Sequence, residues 1–240
     1  MSNQLRISAK TLGEVALPSF CPRCFWIKLH VSKLPYQIFP GIFSSIDSYT
    51  KRVIHGWFDE RGSAPPWLQD LGDIAGYEPA PHFSQFFIED RPTNIMLTGM
   101  VDEIFLLRDN SYLIVDYKTA KYTSAQDTLM PLYVAQLNAY AYIGEQCGFK
   151  PISGLALVYM EPVTHDHAAT QDANLRVDGF AMGFSAYIHP VGLDISLIPS
   201  LFNEARRVYD LNVAPPGGVD CKDCALVEEL TEITSQTIHE

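Results

Sequence analysis

Apolar residues recur at helical spacing from about Ser44 to about Glu60, where Ile46, Tyr49, Val53 and Trp57 make one stripe and Ser44 or Ser45 offers an N-cap. Before it, residues 1–40 are punctuated by proline and carry one short apolar-aromatic run, Phe25 to Val31. Residues 61–82, rich in Gly and Pro, read as loop and turn. From Phe83 the pattern changes to strands. Phe86 to Glu89 forms a first strand and Asp90-Arg-Pro92 a turn. Ile95 to Leu107 and Tyr112 to Lys118 form a pair that turns at Asp109-Asn110. A helix follows from Met130 to Cys147, with Gly148 as its stop signal. Gly154 to Glu161 reads as a buried strand, residues 162–178 as a polar loop and Phe180 to Pro190 as a further strand. A last helix from Ile195 to Leu211 ends in the turn Pro215-Pro-Gly-Gly218. Helix, three strands, helix and strand predict an α/β fold on one mixed central sheet flanked by helices, without a second domain boundary.

Composition narrows the class. The chain has 240 residues, enough for a sizeable core, with 47% hydrophobic and 19% charged residues, as in an ordinary globular protein. The apolar run from Gly154 to Met160 falls well short of the roughly 20 residues needed to span a bilayer, so no membrane partner is expected. The first residues lack an apolar segment with a cleavage site, which predicts a cytoplasmic protein. The formal charge of −11 runs against nucleic-acid binding, where cations supply most of the affinity. A DNA-acting protein of this charge is expected to bind DNA weakly and with strong salt dependence, or to rely on a partner protein that delivers the DNA.

The chemistry concentrates in Thr98-Gly-Met-Val-Asp102 and Leu113-Ile-Val-Asp116-Tyr-Lys118. Strand side chains alternate faces, so Asp116 and Lys118 share a face and Tyr117 points away. A turn at Asp109-Asn110 sets Asp102 almost across from Asp116. Two adjacent carboxylates in an apolar setting repel unless a cation joins them. Hard oxygens of this kind, with the backbone carbonyl of Tyr117 as a further donor, suit Mg²⁺ or Mn²⁺. The plain alternative is a strand-end ion pair between Asp116 and Lys118.

G-x-V-D, a hairpin and V-D-Y-K-T resemble the RecB-type branch of the PD-(D/E)xK nuclease superfamily. That branch carries Q-x-x-x-Y on the next helix, where this chain has Gln136-Leu-Asn-Ala-Tyr140. The resemblance implies a restriction-endonuclease-like core at about residues 41–190, within a single nuclease-like domain over 1–240. It implies a metal-dependent DNA nuclease, exonucleolytic or directed at single strands and ends. Asp102, Asp116, Lys118, Gln136 and Tyr140 would be its catalytic set. The superfamily also places a metal ligand on the preceding helix. Asp47, Lys51 and His55 lie at steps of four on one face there, so either Asp47 or His55 fits; His55 matches the branch, Asp47 is the harder ligand, and Glu89 is a poorer third. His165 and His167 read as surface residues. The different reading is a catalytically inactive nuclease-fold module that binds DNA or acts as an adaptor, and a third is a cysteine-metal structural protein.

Four of the five cysteines form two C-x-x-C pairs, Cys21/Cys24 and Cys221/Cys224, which together present a four-sulfur metal site. Cys147, alone after a helix, reads as a small buried side chain. Pairs this far apart resemble the iron–sulfur nucleases of the same branch, including CRISPR-associated ones, as does the aromatic run after Cys21-Pro-Arg. Those proteins split their cysteines one and three rather than two and two, so a 4Fe-4S cluster and structural zinc both stay open. A clip across about 200 residues stabilises the fold by up to about 5 kcal/mol, taking the disulfide relation as a ceiling.

Overall fold

A computed structural model of the chain describes residues 3–31, 40–123 and 128–235. The strands are β1 (Leu5–Ser8), β2 (Ile74–Glu78), β3 (Phe87–Asp90), β4 (Ile95–Thr98), β5 (Glu103–Leu107), β6 (Tyr112–Lys118), β7 (Ile152–Pro162), β8 (Leu175–Arg176), β9 (Gly179–Phe180) and β10 (Phe184–Val191). The helices are α1 (Ala9–Gly13), α2 (Pro22–His30), α3 (Gly41–Arg61), α4 (Met130–Cys147), a short α5 (Asp166–Ala169), α6 (Ile198–Tyr209) and α7 (Lys222–Ser235). Among these residues the central sheet has five strands in the order β10-β7-β6-β5-β2, antiparallel except for the β6–β7 pair. It is mixed and flanked by helices, as the periodicities predict.

Two apolar layers enclose that sheet. On one face α3 buries Ile54 and Phe58 against Phe105, Leu113 and Val115. On the other lie α4 and α6, with Ile114, Leu155 and Leu157 of the sheet beneath them. The α4 helix is buried nearly all round, which suits its apolar sequence and explains its weak amphipathicity. It ends at Gly148, whose φ of 102° is the left-handed cap that glycine adopts at no steric cost. The core reaches beyond residues 41–190, taking in Leu5 and Ile7 at one end and Phe202 and Val208 at the other.

Several expectations need correction. The strand from Ile95 to Leu107 is two strands, because the chain breaks at Gly99–Asp102 and passes from one sheet to another. The first part, β4, joins β1 in parallel and β3 in antiparallel pairing in a separate three-stranded sheet. Gly99 permits the crossing: a Cβ there would lie 2.5 Å from the Phe86 ring. The stretch 61–82 is not all loop, since β2 pairs with β5. Within residues 1–40, β1 and α1 precede the first cysteine pair, and the aromatic run after it is helical α2; the proline-punctuated residues 32–39 lie outside the described ones.

The α3 stripe is displaced by one residue. Thr50, Ile54 and Phe58 face the core, while Tyr49 is 61% exposed. Helix α3 also starts earlier, at Gly41 with Pro40 as N-cap, so neither Ser44 nor Ser45 caps it. Cys147 is exposed rather than buried.

Candidate active site

The β5–β6 ladder pairs Glu103 with Val115, so the next residues outward are Asp102 and Asp116, set across from each other as the hairpin register requires. The turn forms at Asp109–Asn110, where Asn110 takes φ 65° and the Asp109 carboxylate accepts from the Ser111 N–H at 2.9 Å. Asp116 and Ile114 share the α4 face of the sheet, and the ring of Tyr117 is buried on the α3 face. Asp102, in the break between the sheets, accepts from the Tyr117 N–H through Oδ2 at 3.0 Å.

Asp116 is 4% exposed. Lys118 pairs its ammonium with Asp116 Oδ2, and Gln136 on α4 donates to Asp116 Oδ1 at 3.1 Å. The same Gln136 Nε2 lies 2.8 Å from the Tyr140 hydroxyl, so the four-residue helical step does bring the Q-x-x-x-Y pair together. Burial raises the Asp116 pKa from 3.8 to about 6; the Lys118 ammonium opposes that rise and the Asp102 carboxylate adds to it. Burial also pushes the phenols of Tyr140 and Tyr117 up. Lys118 Nζ lies 4.3 Å from the centre of the Tyr133 ring, a cation–π contact that steadies it on the α4 side.

The helix candidates separate. Asp47 lines the same cavity as Asp102, Asp116 and Lys118. Lys51 bridges it to the strands, donating to Asp47 Oδ2 at 2.9 Å and Asp102 Oδ1 at 2.8 Å. Burial disfavours the charge on Lys51, but the Asp102 and Asp47 carboxylates outweigh it and hold the ammonium above its ordinary pKa. His55, one turn further on, points into the α3 layer, bonded to Glu103 Oε2 at 2.8 Å and stacked on Tyr77 at 4.0 Å. It does not line the cavity. Glu89 belongs to the three-stranded sheet, where the Gln4 amide lies 3.4 Å from it; His165 and His167 are exposed.

Sequence reasoning passed over Lys51 and Glu103. Lys51 sits at the middle of the Asp47–His55 series. Glu103 is a lone acid opening an otherwise apolar strand, and it is 1% exposed. Burial raises its pKa and His55 opposes the rise.

A divalent ion fits the residues present. Asp102, Asp116 and Asp47 offer hard oxygens in one cavity of about 740 Å³, and Gln136 Oε1 is buried there with no hydrogen-bond partner among the described residues. Lys51 and Lys118 neutralise two of the carboxylates, which lowers the cost of keeping them side by side.

The second constellation joins the two ends of the described chain. Cys21, Cys24, Cys221 and Cys224 are free thiols whose sulfurs all lie within 4.8 Å of one another. Cys21 and Cys224 are 3.5 Å apart, Cys24 and Cys224 3.4 Å, and the Gly218 N–H points at Cys21 Sγ from 3.2 Å. Cys21 is subject to burial, which raises its pKa, yet the backbone donors and its thiol neighbours bring it down to about 6. Burial and the neighbouring thiols push Cys24 up, and burial pushes Cys224 up, so Cys21 is the thiolate of the group and a bound metal would have to displace the protons of the others. The Pro215–Gly218 turn closes over the group: a Cβ on Gly217 would meet Cys224 Sγ at 3.1 Å.

A mixed sheet with two acids and a lysine at one end, under a helix that carries Gln and Tyr, defines an α/β protein with a carboxylate site for a hard cation. The chain matches the model of the PD-(D/E)XK nuclease superfamily over residues 48–227 and belongs to that superfamily. That stretch includes Asp102, Asp116, Lys118 and the C-terminal cysteine pair; Cys21 and Cys24 precede it. A solved structure described as the crystal structure of SSO0001 is similar at 14% identity and a TM-score of 0.47, over 95% of this chain and 86% of that one. No curated protein matches the chain. No helix among the described residues is long and apolar enough to cross a membrane.

Proposed function

We propose that this chain is a RecB-type, Mg²⁺- or Mn²⁺-dependent deoxyribonuclease that hydrolyses phosphodiester bonds of single strands or ends, exonucleolytically, in the cytoplasm, with residues 1–240 working as one unit. The observation that carries the reading is the meeting of Asp102, Asp116 and Lys118 in one cavity, with Gln136 bonded to Asp116. Asp102, Asp116, Asp47 and the Tyr117 carbonyl would hold the divalent ion; His55, engaged by Glu103, is the weaker choice. When bound, the ion polarises the scissile phosphate and lowers the pKa of the attacking water. Lys118, a compact point charge, stabilises negative charge growing on the phosphate oxygens. Gln136 fixes the Asp116 carboxylate, and Tyr140, its hydroxyl 2.8 Å from the Gln136 amide, helps hold that amide in place.

Purified protein incubated with labelled single- and double-stranded DNA and Mn²⁺ or Mg²⁺ should release short products, and Asp116→Ala should lose that activity. Undiminished cleavage by the variant overturns the reading. The charge of −11 favours a second one, an inactive nuclease-fold binder or adaptor that depends on a partner protein for DNA affinity. DNA binding without metal-stimulated cleavage would establish it.

The cysteines hold a structural metal in this proposal. The resemblance supports a 4Fe-4S cluster. The sulfur separations support a single ion such as zinc, because metal–sulfur bonds of about 2.3 Å in a tetrahedron set sulfurs about 3.8 Å apart. Absorption near 400 nm in a brown preparation gives the first; a colourless protein with stoichiometric zinc gives the second.

A further inference from the structure

Phe83 lines the cavity that holds Asp102 and Asp116, on a turn that its neighbours fix. The His82 carbonyl accepts from the N–H groups of Gln85 at 2.8 Å and Phe86 at 3.1 Å. Phe86 is fully buried, and its carbonyl accepts from the Gly99 N–H at 2.9 Å, which ties the turn to the break between the sheets. One phenylalanine of the turn thus anchors in the core and the other is held out, 37% exposed and lining the cavity. Arg6, on β1, holds its guanidinium carbon 5.5 Å from the centre of the Phe83 ring. Lys10 and Met100, both exposed, line the same cavity, Met100 at 68%.

Phe83 is thus a partly exposed ring packed on His82 at a centroid distance of 4.1 Å, with the Arg6 guanidinium over it and Lys10 elsewhere on the same cavity. It has the chemistry that takes an unpaired nucleotide: a base stacks on the ring while phosphates approach the cations. A base inside a duplex has both faces covered by its neighbours and offers none to the ring. The cavity floor at Asp116 is 4% exposed beneath α4, and a volume of about 740 Å³ is that of a site for a small ligand rather than a rod.

We propose that Phe83, with Arg6 over its ring and Lys10 on the same cavity, is the entry subsite for one unpaired nucleotide of the DNA strand whose phosphate reaches the carboxylates. The proposal rests on the nuclease reading for what lies at the cavity floor, but it is tested by binding alone. Full-length protein, without added divalent metal and at low salt, is titrated against a fluorescent ten-nucleotide oligothymidylate and a blunt duplex, read by anisotropy. Phe83→Ala should bind the single strand about tenfold more weakly, Phe83→Trp should restore it, and duplex affinity should not change. Arg6→Gln with Lys10→Gln should flatten the dependence of log affinity on log salt by about 1.4, at about 0.7 for each phosphate contact. Equal single-strand affinity in wild type and Phe83→Ala, equal losses on both DNAs, or no binding by the wild type overturns the subsite. Failure of the nuclease reading shows separately, as absence of Mn²⁺-dependent cleavage by the wild-type protein.

Discussion

Replacing Asp116 by Asn removes one charge from the cavity floor and keeps the shape. In the wild-type protein burial lifts this carboxyl from 3.8 to about 6, with Lys118 pulling it back and Asp102 pushing it further. A folded-state pKa above the unfolded one means that the native protein binds the proton more tightly between those limits. Stability from this group is therefore fully present below about pH 4 and is lost as pH rises through about 6. A rise of this size, at about 1.36 kcal/mol per pH unit, is worth about 3 kcal/mol. That is a ceiling, because Lys118 loses its partner in the variant. Urea denaturation from pH 4 to 8, without added divalent metal, should show Asp116→Asn gaining on the wild type as pH rises, with most of the change between pH 4 and 6. Mn²⁺ at pH 7.5 should shift the difference back toward the wild type, stabilising it by about 2.7 kcal/mol at a hundredfold excess over its Kd and the variant by less. A difference between the two proteins that stays constant with pH would refute the account of Asp116 as an acid whose burial outweighs its pairing with Lys118.

The helix candidates can be separated by Mn²⁺ titration. Asp47→Ala should weaken binding about tenfold or more, whereas His55→Ala should leave it near wild type but cost about 1–3 kcal/mol in urea, because Glu103, 1% exposed, loses its partner. Gln136→Leu removes the bond to Asp116 Oδ1 and should lower kcat on DNA about 10- to 100-fold with the fold retained in circular dichroism. Cys224→Ala should abolish stoichiometric metal at the cysteines and lower stability by up to about 5 kcal/mol, measured by metal analysis and urea melts of the same preparation.

The site was more legible than the sheet around it. Alternation and a two-residue turn sufficed to place Asp102 opposite Asp116, because hairpin register is local. The four-residue step from Gln136 to Tyr140 was equally local. The transfer of the chain between sheets at Gly99 was hidden, because apolar residues lie on both sides of Thr98–Glu103 as they would in one long strand, and the packing of Gly99 against Phe86 marks the break. Strand β1 is four residues long and finds its partner some 90 residues away, a pairing without local signal. On α3 the misread stripe followed the largest side chains, but the helix buries Thr50 and exposes Tyr49, because its buried face is set by what the sheet presents to it. The choice between Asp47 and His55 depended on tertiary partners: both share a polar face, and it is buried Glu103 that holds His55 away.

The cysteine group also sets a timetable for biosynthesis. Cys24 and Cys221 are 197 residues apart in sequence yet 3.5 Å apart at sulfur. At translation rates of about 5–20 residues per second, the first pair emerges about 10–40 s before the second. During that interval the first two thiols are without their eventual companions and are open to oxidants and to competing metals. Any metal held by all four sulfurs would thus be acquired late, and the early thiols must stay reduced until α7 has been made for such a site to form.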